Sequence, residues 1–158
     1  MKILLNERAL LRVSGSEAEL FLQNQLTNDI MLLNTSSVQL SAYCQHQGKI
    51  IGLFWLVRLD EDFLISLPSD LLQLVISRLK MFILMSDVII EDITMNYNQI
   101  GLIDEKQSNG YSINDRLSLQ IENRTEKTNS KVDDNIEWTL ACIKSFLPEV
   151  FLATSEKF

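Results

Sequence analysis

The chain holds one histidine, two cysteines, two prolines and five glycines in 158 residues, and each scarcity closes off a class of function. His46 alone cannot supply a histidine-based triad or a histidine-rich metal site, and in a polar turn it reads as a solvated side chain. Cys44 and Cys142 lie far apart and outside any CxxC spacing. They read as reduced, small buried residues rather than a disulfide framework or a zinc site. Gly15, Gly48, Gly52, Gly101 and Gly110 are scattered, so no P-loop or dinucleotide turn can bring backbone amides against a phosphate.

Positive charge is also short. Fourteen Lys and Arg against twenty-one Asp and Glu give a formal net charge of −7, which repels polyphosphate at long range. With no compact basic cluster among aromatics, direct nucleic-acid binding is not expected. The most apolar stretch, Leu71 to Met85, is broken by Gln73, Arg78 and Lys80. It falls below the roughly 18 residues a membrane span requires, so no membrane contact is expected. The start, MKILLNERALLRV, meets Asn6, Glu7 and Arg8 too early for a secretory leader, and a cytoplasmic location follows as the expectation.

What the chain does have is a 46% hydrophobic content, enough for one domain or two small subdomains sharing a core. Residues 2–5 and 8–13 read as short strands, and Ser16 with Glu19 has the spacing of a capping box opening a helix. Ala18, Phe21, Leu22 and Leu26 share one face of that helix. Residues 38–44 alternate, Val38, Leu40, Ala42 and Cys44 against Gln39, Ser41 and Tyr43, the pattern of a half-buried strand. The turn His46-Gln47-Gly48-Lys49 joins it to a buried partner over 50–59, making a hairpin, and 63–67 adds another strand. Pro68, Ser69 and Asp70 start a second helix, whose stripe is Leu72, Val75, Ile76, Leu79 and Ile83, and 88–93 is strand-like.

Beyond residue 93 the pattern restarts with 100–103 and with Leu117, Leu119 and Ile121, followed by a polar linker over 123–135 and a final helix over 135–147. That helix is apolar on two sides, Ile136, Leu140, Ile143 and Leu147 opposite Trp138, Ala141, Cys142 and Ser145, and both sides are expected to be covered. The whole is an α+β arrangement, a mostly antiparallel sheet with flanking helices, divided into 1–93 and a shorter unit over 94–158.

Paired acids at Asp60-Asp62 and Asp133-Asp134 fall in turns and read as solvated or capping groups, and Cys44 beside His46 is poor material for a dyad. Two features rise above that background. The run Phe21 to Asp29, FLQNQLTND, ends a helix in amides, a hydroxyl and an acid, which suit a polar pocket wall or equally plain turn chemistry. Trp138 shares its helix face with small residues, so its indole either roofs a cavity for a flat ring or fills a core.

FLQNQLTND resembles the FLQGQxTxD signature of the YgfZ family, relatives of the glycine-cleavage T-protein and of the TrmE folate-binding domain. The block SAYCQHQGKIIGLFWLVRLDEDFLISLP is similar to the next conserved block, with its glycine-basic pair at Gly48-Lys49. IEWTLACIKSFLPEV resembles the helix that carries a folate-contacting tryptophan, at Trp138 here. The resemblance covers roughly 3–93 and 135–158. It implies a folate-binding fold of intertwined β-α-β subdomains and a pocket for tetrahydrofolate or a derivative. It further implies a role in maintaining iron-sulfur enzymes, and through them an indirect one in tRNA modification.

On that resemblance Trp138, Arg8, Asn28, Asp29 and Lys49 are the cofactor-binding set, with Arg8 standing where some members have a second tryptophan and able to pair with a glutamyl carboxylate. Where T-proteins place paired acids, one of them catalytic, this chain has Gly52 and Leu53, so no catalytic residue is assigned and an accessory role is expected over an aminomethyltransferase. On the same resemblance the family's KGCYxGQE motif with its reactive cysteine would follow residue 158, and the chain is expected to correspond to an N-terminal part. A folate-free interaction module is the remaining alternative, and the surroundings of Trp138 decide between it and a folate pocket.

Overall fold

A computed structural model describes residues 1–105, 108–125 and 135–157. Nine strands and three helices appear among them, in the order β1 (Lys2–Leu4), β2 (Arg8–Ser14), α1 (Ala18–Gln25), β3 (Val38–Cys44), β4 (Ile50–Arg58), β5 (Phe63–Pro68), α2 (Leu72–Met81), β6 (Ile89–Asp92), β7 (Tyr97–Ile103), β8 (Gly110–Ser112), β9 (Leu117–Asn123) and α3 (Ile136–Lys144). All the strand pairs are antiparallel, which is the expected α+β class. Most of the expected linker, residues 126–134, lies outside the described residues.

The strands form two sheets, ordered β3-β4-β5-β2-β6 and β1-β7-β9-β8. Strand period explains how the larger sheet serves two cores at once. Ala9, Leu11 and Val13 of β2, Phe54 and Leu56 of β4, and Phe63, Ile65 and Leu67 of β5 face α1 and α2. The intervening Leu10, Trp55, Val57 and Leu64 face Leu117 and Leu119 of the smaller sheet, with Trp138 of α3 in the same cluster. The larger sheet is therefore the middle layer of the molecule, between helices and a second sheet.

That position changes the reading of β3. Ser41 and Tyr43, on the side expected to be wet, are buried, with Tyr43 6.0 Å ring to ring from Phe54. A strand covered on both faces does not keep a polar face, and its polar groups are bonded instead: Ser41 Oγ accepts from the Asn28 amide at 3.0 Å.

The capping box also fails to form. Ser16 Oγ donates to Asp87 Oδ2 at 2.7 Å and Glu19 pairs with Arg58 at 2.6 Å, so tertiary partners take both halves of the motif. Gly15 makes this possible, because its φ of +111° and the approach of the Asp87 carbonyl leave no space for a Cβ. α2 matches its stripe, with Val75 and Leu79 buried and Leu72, Ile76 and Ile83 packed against them.

β1 belongs to the smaller sheet, where Lys2–Leu4 lie opposite Ile100–Leu102 of β7. The first strand thus crosses the 1–93 and 94–158 division. On α3 one expected face is covered and the other is not: Trp138 is buried, while Ile136 and Ile143 are 66% and 64% exposed. Among the described residues no helix is long and apolar enough to cross a membrane.

Candidate functional site

The site grows from the alternation of β2, β4 and β5. Arg8, Trp55 and Ser66 all fall on the faces turned toward the smaller sheet, since Arg8 lies opposite Pro68 and Trp55 opposite Ser66 in register. The Arg8 guanidinium donates through Nε to Ser66 Oγ at 2.8 Å and through Nη2 to the Ser66 carbonyl at 3.0 Å. Its plane lies over the Trp55 ring, 4.0 Å from the ring centroid, as a cation–π contact. Nη1 pairs with Glu149. Burial pulls Arg8 below its ordinary pKa, and the charge and hydrogen bond of Glu149 oppose that shift.

Trp138 comes in from α3 and meets Trp55 edge to face, with ring centroids 5.8 Å apart at 69°. Its other side rests on the backbone of β7 at Gly101, where a Cβ would stand 2.5 Å from Cε3. The indole is 6% exposed. Arg8, Trp138, Asn135 and Glu149 border a cleft of about 50 Å³. That space holds a few water molecules, well under the roughly 300 Å³ at which small-ligand pockets begin. Asn135 contributes a buried side-chain oxygen with no hydrogen-bond partner.

Of the residues expected to bind a cofactor, Arg8 and Trp138 meet at this cleft, although 130 positions separate them. Asn28, Asp29 and Lys49 do not border it. Asn28 donates from Nδ2 to the Leu40 carbonyl at 2.9 Å, and Asp29 caps a 3-10 turn by accepting from the Met31 amide at 3.0 Å. Lys49 is exposed beside the β3–β4 turn, where its carbonyl accepts from Gln45. Glu149, Trp55 and Ser66 were not singled out from the sequence. Register on adjacent strands could have placed Trp55 and Ser66 beside Arg8, but nothing local to Glu149 points 141 residues back to its partner.

Nucleophilic chemistry finds no support here. Burial first, then the charge of Glu149, pushes the Cys142 thiol up to about 11, so it is protonated at neutral pH. Cys44 and Cys142 are unpaired and half-buried, and His46 is exposed. Asp62 is taken by Arg12. Among the described residues no three His, Cys, Asp or Glu side chains gather as metal ligands.

The chain is 30% identical over 165 residues to an uncharacterized protein of Haemophilus influenzae, a match covering 99% of this chain and 57% of that one. It is 29% identical over 104 residues to the tRNA-modifying protein YgfZ of Colwellia psychrerythraea, covering 66% of this chain and 32% of the relative. Among solved structures it matches the glycine cleavage system aminomethyltransferase T of Bartonella henselae, with a TM-score of 0.57 and 18% identity over 63% of this chain and 27% of that chain. Over part of its length the chain is similar in sequence to YgfZ and to an aminomethyltransferase. Its fold is the T-protein fold, and it spans 57% or less of the length of the curated relatives it matches. No family profile matches it.

In this fold, position 52 sits on the helix-facing side of β4, where an added Cβ would lie 2.8 Å from Phe54 and 3.2 Å from Leu71. A carboxylate would have to displace the apolar core before it could reach a substrate.

Proposed function

We propose that the chain is a cytoplasmic folate-binding accessory protein of the YgfZ kind, serving iron-sulfur enzymes and through them tRNA modification, rather than an aminomethyltransferase. The observation that carries the folate reading is the meeting of Arg8 and Trp138 in one cleft, joined through Trp55. The cleft sets an indole edge beside a guanidinium already oriented by Ser66, the two groups that an aromatic ring and a glutamyl carboxylate would use. The sequence similarity to YgfZ supports the accessory role, and Gly52 packed against Phe54 speaks against the transferase.

The small volume of the cleft favours a second reading, a folate-free interaction module in which Trp138 is a core residue. Titration with folinic acid, followed by tryptophan fluorescence and by calorimetry, separates the two. Saturable binding that weakens at least about tenfold in Trp138→Phe, a loss of roughly 1.4 kcal/mol, is the expected result. Absence of saturation at several millimolar ligand overturns the folate reading and leaves the interaction module.

A further inference from the structure

The chain after α3 turns back over the cleft. It leaves the helix through Phe146, a bulky residue held at φ 56°, in the left-handed region. From there the chain runs through Pro148 to Phe151, with Glu149 and Phe151 bordering the cleft and Val150 buried. The far end of this strap is tied to the larger sheet and α2: Ser155 Oγ donates to the Ile51 carbonyl at 2.7 Å, the Glu156 amide to the Ile50 carbonyl at 2.7 Å, and Arg78 to the Glu156 carboxylate at 2.7 Å. The near end places the Glu149 carboxylate on Arg8.

The Arg8 guanidinium is buried against Trp55, where an unpaired charge is costly, so the site requires a carboxylate on Arg8. The two partners are unequal: the Arg8 side chain is 7% exposed and fixed by Ser66, while that of Glu149 is 37% exposed and arrives on the strap. Asn135 Oδ1, buried at the same cleft without a partner, is an acceptor awaiting a donor.

We infer that Arg8 is the seat for a ligand carboxylate, that Glu149 occupies this seat in the resting chain as a built-in competitor, and that the matching ligand joins a carboxylate to an aromatic ring through an N–H. The carboxylate replaces Glu149 on Arg8, the N–H satisfies Asn135, and the ring lies against Trp138. A folate tail has this chemistry, so the ligand's identity rests on the proposed function whereas the seat does not. Displacement takes the 37% exposed Glu149 side chain off Arg8 while the strap stays anchored by the Leu152 amide on Asp70 and by Ser155 and Glu156.

The test titrates p-aminobenzoylglutamate and folinic acid into the wild-type chain, Glu149→Gln, Glu149→Ala and Arg8→Gln, with melting and near-ultraviolet dichroism showing that each variant is folded. Affinity for p-aminobenzoylglutamate rises about tenfold or more in Glu149→Gln, the factor expected when the open form is 10% or less populated, and at least as much in Glu149→Ala. It is lost in Arg8→Gln. If that pattern appears while folinic acid fails to bind, the seat stands and the folate reading falls. Equal affinity of wild type and both Glu149 variants for either ligand overturns the competitor, whatever folinic acid does. No binding of p-aminobenzoylglutamate to folded Glu149→Gln and Glu149→Ala overturns the seat itself.

Discussion

Gly101 shows how closely a single residue can be tied to the site. It sits in the middle of β7 and faces the Trp138 indole, with Cε3, Cζ3 and Cδ2 all within 2.8 Å of where a Cβ would be. A strand gains nothing from glycine by propensity, so the close packing of the indole on the backbone explains its presence. A rigid ring has no alternative rotamer nearby, and Gly101→Ala is expected to destabilise the fold by about 1–3 kcal/mol, the cost of overpacking. Urea titration reads this directly. A loss under 0.5 kcal/mol, the level of an ordinary surface change, would mean that the indole is not pinned there. Trp138 belongs to the apolar cluster with Trp55 and Leu119 and also borders the cleft. The resemblance set Arg8 against a ligand's glutamyl carboxylate, and its partner in the chain, Glu149, was not legible at all, because long-range pairing leaves no periodic trace.

At the scale of elements, the strands and α2 were read well where one hydrophobic period ruled, and misread where a second layer intervened. Periodicity shows which residues of β3 share a face and cannot show that both faces are covered. The Ser16–Glu19 spacing failed for a related reason: a capping box is a local solution, and the loop at Asp87 supplies a tertiary one. Asp87 accepts from Ser16 Oγ and Ser16 N, and its own amide donates to Glu17 Oε2 at 2.6 Å. Those Ser16 hydrogen bonds hold the Asp87 carboxyl below the usual carboxylate range. A carboxyl depressed in the folded state stabilises fully above its unfolded pKa and stops doing so as pH falls through the folded value. Asp87→Ala should therefore melt below wild type near neutral pH, and the gap should narrow as the solution is acidified toward pH 2. A melting difference constant across that range would show that the charged form of Asp87 plays no part in holding the start of α1.

For the whole molecule the question is whether two sheets make two folding units. The sequence suggested a division near residue 93, and the hydrophobic pattern does restart there. What it could not show is that the chain's first seven residues stitch the sheets together. β1 pairs with β7, the Leu5 amide donates to the Gln99 carbonyl at 2.8 Å, and β2 begins three residues later in the other sheet. Gln99 Nε2 returns the contact, donating to the Arg8 and Ala9 carbonyls at 3.2 Å each. Ile3, Leu10, Trp55, Leu119 and Trp138 share one apolar cluster, so separating the sheets would expose the same surface that unfolding either of them exposes. Such a core predicts a single cooperative transition for the whole chain. Trp55 reports on the larger sheet and Trp138 on α3 over the smaller one, so Trp138→Phe and Trp55→Phe each leave a probe of one part. In each variant the urea transition followed by fluorescence should superimpose on the transition followed by far-ultraviolet dichroism. A fluorescence midpoint displaced from the dichroism midpoint in either variant would mean that one sheet melts while the other persists. The cleft would then lie on the seam between two independent units.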